Sequence, residues 1–127
     1  MNHTALLSEL DALRSRVEGI SDAAVASVDG MLLTGRTERA HPETLAALAA
    51  AMLGLARSAG QQTGSGEFCE TVTRFESGYI AVYALGSECL LVVLTDRHLN
   101  LARLHLEARN SIRSMSAALF GERRPVV

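Results

Sequence analysis

Residues 78–96, GYIAVYALGSECLLVVLTD, are the stretch that most restricts the fold. Gly86 and Ser87 separate two apolar runs, 79–85 and 89–95, as a hairpin turn separates two antiparallel strands. The second run, CLLVVLT, is apolar without alternation, and its length and valine content are typical of a strand buried on both faces. We therefore predict a sheet that other elements cover on both sides.

Three further runs complete a set of five predicted strands. Residues 68–75 come before the first of the two runs, across a Ser77-Gly78 turn, so three antiparallel strands follow one another. Nearer the N-terminus, residues 23–28 and 31–34 flank Asp29-Gly30. An Asp-Gly pair commonly supplies the two positive-φ positions of a type I′ turn, which predicts a second hairpin.

Helical periodicity appears in three places. Residues 4–18 carry leucine and valine at spacings of four and three, which predicts an amphipathic helix. Residues 42–59 begin with Pro42, which suits the first position of a helix, and this second helix is expected to stop at Gly60. A third stripe of apolar residues predicts a helix over 99–120.

The order of elements is therefore helix, two strands, helix, three strands, helix. Short turns force antiparallel pairing within each group of strands. We predict an α+β fold with a five-stranded antiparallel sheet sandwiched between helices, formed by residues 1–127 as a single domain. Its core is expected at about 4–120, with a loose C-terminal tail at 121–127.

The second helix has an unusual composition on the side expected to face away from the sheet. Placed at ~100° per residue, its sheet-facing arc is expected to hold Leu45, Leu48, Ala49, Met52, Leu53, Leu55 and Ala56. The opposite arc is then formed by Ala46, Ala47, Ala50, Ala51, Gly54 and Ser58. A solvated face normally carries charged residues, yet only Glu43 and Arg57, at the two ends, are charged here.

An arc of alanine and glycine lets another backbone approach closely, and a helix that is apolar all round is usually buried all round. We therefore expect this arc to meet a second protein surface, most simply the same helix of a two-fold related copy. The alternative is that alanine is merely the best helix former and that the arc faces solvent. Gly54 argues against it, because a mid-helix glycine costs about 1 kcal/mol relative to alanine.

Composition excludes several classes of function. All 12 basic residues are arginine, they are dispersed along the chain, and the net charge is −2, so we expect no nucleic-acid partner. The chain contains no lysine and so cannot form the standard P-loop of a GTPase. The longest apolar run, 45–56, is shorter than the ~20 residues that span a bilayer. The N-terminus is unlike a signal peptide, so we expect no membrane insertion and a cytoplasmic location.

No catalytic constellation is apparent. The four histidines lack metal-ligand spacing, no G-x-S-x-G motif is present, and no cofactor or metal is expected. Cys69 and Cys89 are expected to be buried thiols. Arg57 could reach a bound nucleotide as an arginine finger, but we favour the interpretation that it complements the negative end of its own helix.

Four segments, in this order, resemble bacterial roadblock / dynein light chain domain proteins: VASVDGMLL (25–33), HPETLAALAAAMLGLARSAG (41–60), GYIAVYALGSECLLVVLTD (78–96) and NLARLHLEAR (100–109). The likeness spans about 6–119, and its specificity comes from the combination. It implies a profilin-like sandwich, with the second helix on one face of the sheet and the first and last helices on the other.

The resemblance also implies homodimers, built by the second helices and by the strand that follows them, at about 67–75. That strand is more polar than its neighbours, as suits an edge that pairs only on dimerisation. The interface residues expected on this basis are Ala46, Ala47, Ala50, Ala51, Gly54, Arg57, Ser58, Glu70, Val72 and Arg74.

By the same resemblance, the chain is expected to be a non-enzymatic regulator that binds a separate Ras-like small GTPase and modulates its nucleotide cycle or signalling. The family's GTPase contacts would map to Ala47, Ala51, Gly54, Arg57 and Ser58, and a sensor kinase module is a further partner that the resemblance suggests. A pure adaptor that links other proteins is the second interpretation. A small-molecule sensor is the third, because sandwiches of this shape can hold ligands between layers.

Overall fold

The computed structural model describes residues 2–121, and it contains all eight predicted elements in the predicted order. Met1 and residues 122–127, which include most of the predicted loose tail, lie outside the described part. The elements are α1 (His3–Arg16), β1 (Ile20–Ser27), β2 (Leu32–Arg36), α2 (Pro42–Thr63), β3 (Glu70–Phe75), β4 (Gly78–Leu85), β5 (Cys89–Thr95) and α3 (Leu101–Phe120).

The five strands form one antiparallel sheet in the order β2-β1-β5-β4-β3. The central strand is β5, and its Val93 pairs with Ala23 of β1 on one side and with Ala81 of β4 on the other. Leu90, Leu91, Val92 and Val93 are all fully buried. The prediction that the CLLVVLT run is covered on both faces is therefore confirmed.

Helices cover the two faces unequally. On one face α1 and α3 enclose the larger core. Leucines of the two helices pack there against alternate residues of β1, β4 and β5, including Tyr83 of β4. On the other face α2 packs alone over the intervening residues. This smaller core consists of Ala24, Ala26, Leu45, Ala46, Ala49, Leu53, Val82, Leu90 and Val92.

The first hairpin turn is not the predicted type I′ turn. Gly30 has a φ of +97°, but no residue other than glycine has a positive φ within residues 2–121. The backbone N–H of Ser27 donates to the Met31 carbonyl at 2.9 Å, and that of Gly30 donates to the Ser27 carbonyl at 3.0 Å. This pattern closes a three-residue loop with a glycine bulge, and the Asp29 carboxylate accepts from the Ser27 hydroxyl.

The second helix continues through Gly60, where the sequence predicted its end, to Thr63. Gly64, with a φ of +65°, takes the left-handed conformation that ends the helix. The chain then folds back, and the backbone N–H of Ser65 donates to the Gly60 carbonyl at 2.9 Å. A side chain at residue 60 would lie 3.2 Å from the Gly66 carbonyl oxygen, so Gly60 permits this close return.

A buried polar contact joins α3 to the sheet. The Tyr83 hydroxyl lies 2.7 Å from Nδ1 of His105, and the two rings meet edge to face. Burial raises the pKa of Tyr83 well above its ordinary value, and the Glu70 carboxylate adds to the rise. Of the two cysteines, Cys89 is buried as predicted, whereas Cys69 is exposed because it precedes β3 at the edge of the sheet.

Gly78 provides a test of how closely β4 approaches the end of β5. A Cβ atom at this position would lie 1.8 Å from the backbone oxygen of Thr95. We expect Gly78→Ala to lower the free energy of unfolding by about 3 kcal/mol, because backbone must move to admit the methyl group. Urea-induced unfolding measures the change.

Ser114→Ala, at an exposed position of α3, is the control. This substitution should change the free energy of unfolding by less than about 0.5 kcal/mol. Equal effects of the two substitutions would contradict the packing described for Gly78.

Candidate protein interface

The orientation of α2 follows from three residues one turn apart. Leu45, Ala49 and Leu53 are buried against the sheet and define the centre of the inward face. Residues that are displaced by about half a turn from this line point outward. This geometry decides which side chains of α2 another protein can reach.

The predicted arcs of α2 are partly wrong. Ala46 is expected on the outward arc, but it is fully buried, because it lies next to the line of Leu45 and Leu53. Ala50 is half-buried and packs against the same core. Leu48 and Leu55 are expected against the sheet, yet they are 51% and 75% exposed.

We define the α2 face as the exposed residues Ala47, Leu48, Ala51, Gly54, Leu55 and Ser58. The face carries no charge, and its two leucines are among the large apolar side chains that the described residues expose. Isolated exposed leucines are common, but two on one uncharged helix face form a continuous apolar strip. The sequence signal for them was their seven-residue spacing, which places them together on one side of a helix.

The β3 strand forms one edge of the sheet beside this face. It pairs with β4 on one side, and within residues 2–121 no strand pairs with its other side. Thr71, Thr73 and Phe75 alternate toward the α2 side of the sheet, in register with Ile80 and Val82. The predicted interface residues Glu70, Val72 and Arg74 point instead toward the α1 and α3 side, in register with Ala81 and Tyr83.

Arg57 does not complement the end of its own helix, because α2 continues for six residues beyond it. Its guanidinium Nη2 donates to the Ser87 carbonyl at 3.1 Å, across to the turn between β4 and β5. The side chain is half-buried and lines a cleft of about 270 Å³, with Gln61, Glu67, Phe68 and Ser87 among its walls. The contact ties the C-terminal half of α2 to the sheet.

The α2 face consists of alanine, leucine, glycine and serine side chains. Within the part of the chain that the structure describes, no three His, Cys, Asp or Glu side chains lie close enough together to hold a metal ion. Over the same residues, no helix is long and apolar enough to cross a bilayer.

The sequence of residues 6–95 matches the family model of the Roadblock/LC7 domain. The chain belongs to the Roadblock/LC7 family. Members of this family are regulatory adaptors rather than enzymes, and membership supports a regulatory role through protein–protein contact. No curated protein matches the chain.

Solved structures agree with this assignment. A Roadblock/LC7 domain from Streptomyces avermitilis is 28% identical with a TM-score of 0.84, over 89% of this chain and 96% of that one. The gliding protein MglB from Thermus thermophilus is 18% identical with a TM-score of 0.83, over 94% and 92%. Acanthamoeba castellanii profilin IB, at 12% identity and a TM-score of 0.61 over 91% and 97%, confirms the profilin-like fold.

In this Roadblock/LC7 domain a buried carboxylate fixes the segment that leads into α2. Asp22, on β1, is fully buried and accepts the backbone N–H groups of Glu38, Arg39 and Ala40 at 3.2, 3.1 and 2.9 Å. Asp22 escaped prediction because the strand was expected to begin at residue 23, whereas β1 begins at Ile20. One sequence signal could have indicated this role of Asp22. An acidic residue directly before an apolar run can accept hydrogen bonds from the backbone of a nearby polar segment, here residues 38–40.

We expect Asp22→Ala to lower the free energy of unfolding by about 3 kcal/mol, because it leaves three backbone N–H groups without their charged acceptor. Asp29→Ala, at an exposed turn, is the control and should cost less than about 1 kcal/mol. Chemical denaturation of both variants measures the difference. A loss at Asp22 no larger than that at Asp29 would contradict the anchoring role.

Proposed function

We propose that this chain forms a homodimer through the α2 face and the outer edge of β3, and that the dimer binds a Ras-like small GTPase and modulates its nucleotide cycle or signalling. The observation that carries the proposal is the exposed, uncharged α2 face with its two leucines. The proposed location is the cytoplasm, and a sensor kinase module is a further proposed partner.

The geometry of the sheet supports a second copy on this side. Five strands at about 4.8 Å spacing span roughly 19 Å between the outer strands. Two helices of about 10 Å diameter cover that width on the α1 and α3 side, whereas α2 alone covers about half of it. A second α2, related by a two-fold axis, would complete the missing half of the layer.

The chemistry of the α2 face suits such a contact. Removing a fully exposed leucine side chain from water contributes roughly 1.5–3 kcal/mol. Leu48 and Leu55, which are 51% and 75% exposed, would each contribute part of that amount from both copies of a two-fold interface. Ala47, Ala51 and Gly54 carry little or no side chain, so the two helices could pack at close range. No charge on the face would have to lose its hydration.

The edge of β3 supplies a second, directional contact. Its outward N–H and C=O groups can pair with the same strand of the other copy, which would extend the sheet across the two-fold axis. Thr71 and Thr73 lie on the α2 side of that edge, so the strand and helix contacts would be continuous. Glu70, Val72 and Arg74 would flank the strand pairing from the opposite face.

Binding of a GTPase is supported by family membership. Because the sequence has no lysine and so no standard P-loop, the GTPase would be a separate protein. The proposed contacts lie along the groove that borders the two paired α2 helices, and they are Ala47, Ala51, Gly54, Arg57 and Ser58. The Arg57–Ser87 contact favours a second candidate, a pure adaptor, because a guanidinium held by its own sheet is not free to act as an arginine finger.

Solution mass tests the dimer. We expect twice the monomer mass at micromolar concentration, by light scattering after size exclusion. Leu55→Glu should convert the protein to a monomer, because it would place two carboxylates in an apolar contact. Leu106→Glu, at an exposed leucine of α3, is the control and should leave the dimer intact. A wild-type monomer at these concentrations would exclude the proposed interface.

A pull-down tests the GTPase partner. The probe is the Ras-like GTPase encoded nearest to the gene for this chain, loaded with GDP or with a non-hydrolysable GTP analogue. We expect capture in at least one nucleotide state and at least tenfold weaker capture by Leu55→Glu. Capture in neither state would reject a GTPase partner, whereas capture without any change in the rate of GTP hydrolysis would identify an adaptor.

A further inference from the structure

The outward face of α3 carries a second surface, distinct from the α2 face. Leu104, Ala108 and Met115 turn inward to the core, so residues about half a turn away face solvent. We define the α3 stripe as the exposed residues Ala102, Leu106, Arg109, Arg113, Ala117 and Phe120, spaced by three and four. Apolar side chains therefore lie at both ends of the stripe and two arginines at its middle.

The two arginines make no ion pair with any residue that the structure describes. Within residues 2–121 neither Arg109 nor Arg113 has a carboxylate within 4.0 Å, whereas Arg14, Arg16, Arg36 and Arg103 each have one. Glu107, the acid of α3, lies on the side that faces away from the stripe, where Arg103 Nη2 approaches it to 3.9 Å. Glu70 is close enough to affect the Tyr83 hydroxyl, as is Arg109, but it makes no ion pair with that arginine.

The backbone of α3 is attached to the rest of the fold on both sides of the arginines. The Tyr83–His105 contact fixes α3 to β4 one turn before Arg109, and Met115 is fully buried one turn after Ser111. The stripe also exposes Leu106 to 55% and Phe120 to 39%. A helix backbone that is already held in place lowers the entropic cost of binding a partner, although the two exposed arginine side chains must still be ordered.

We propose that the α3 stripe binds an acidic amphipathic helix of a partner protein. Arg109 and Arg113 are one helical turn apart, about 6 Å along the axis, and two glutamates at positions i and i+4 of a facing helix have the same separation. Each guanidinium can bind a carboxylate through two parallel hydrogen bonds, which a point charge cannot do. Apolar residues before and after the glutamates would meet Leu106 and Phe120.

The same observations disfavour an anionic membrane as the occupant. Electrostatic attachment to a lipid surface typically uses clusters of four to eight basic residues, and the stripe has two. The stripe lies on the opposite layer of the fold from α2. An acidic helix could therefore occupy it whether or not the α2 face is in a dimer, and this proposal does not rest on the proposed function.

A designed peptide tests the proposal. The probe is a fluorescein-labelled, alanine-based helix of about 20 residues, with two glutamates four positions apart between two leucines. The control peptide has the same sequence with glutamine in place of both glutamates. With the full chain, fluorescence anisotropy should show that the glutamine peptide binds at least tenfold more weakly than the glutamate peptide. At high salt the two peptides should bind equally, because salt screens the charge interaction.

Variants locate the binding site. Arg113→Glu should weaken binding of the glutamate peptide at least tenfold, whereas Arg97→Glu, an equal charge change in an exposed loop, should change it less than about threefold. Leu106→Glu should weaken binding, and Leu55→Glu should not. Thermal unfolding of each variant checks that the fold is intact.

Three results would overturn the proposal: equal binding of the two peptides, equal effects of Arg113→Glu and Arg97→Glu, or binding to vesicles that contain phosphatidylserine without binding to the glutamate peptide. The last result would identify a lipid surface instead. If Leu55→Glu abolishes the dimer but still binds the glutamate peptide, the α3 stripe binds independently of the α2 interface.

Discussion

The burial of both faces of β5 is the constraint on which the rest of the structure depends. A strand whose leucines and valines point alternately to two dry sides requires a layer of helix on each side of the sheet. Residues 2–121 form three helices for five strands, so one side receives two and the other receives one. The uneven division leaves the α2 side with the narrower cover and makes it the side on which another polypeptide can complete the layer.

Polar contacts then join the single helix to the rest of the fold before its first turn and in its second half. The Asp22 carboxylate accepts hydrogen bonds from the backbone N–H groups of the segment before α2, and Arg57, in the second half of α2, donates a hydrogen bond to the Ser87 carbonyl. Between Glu43 and Arg57 the helix carries no charged residue. An uncharged helix face is suited to binding protein, because little desolvation of polar groups opposes association.

The two helical layers therefore present different chemistry to solvent. The α2 face consists of small and apolar side chains and carries no charge. The α3 stripe has two arginines between apolar ends, and neither arginine has an ion-pair partner among residues 2–121. Because the sheet separates them, the two surfaces can be occupied independently.

Sequence alone determined the order of the eight elements, the antiparallel sheet and the burial of β5, because these follow from local periodicity and short turns. It also indicated that α2 lacks a charged outer face. Only the tertiary structure decided which residues form that face: Ala46 turned inward and Leu48 and Leu55 turned outward. A helix apolar on every side contains no periodic signal for its own rotation, which is set by packing against strands distant in sequence. The role of Asp22 escaped prediction, and the role predicted for Arg57 at the end of its own helix was wrong. The partners of both residues are distant parts of the chain that only folding brings close.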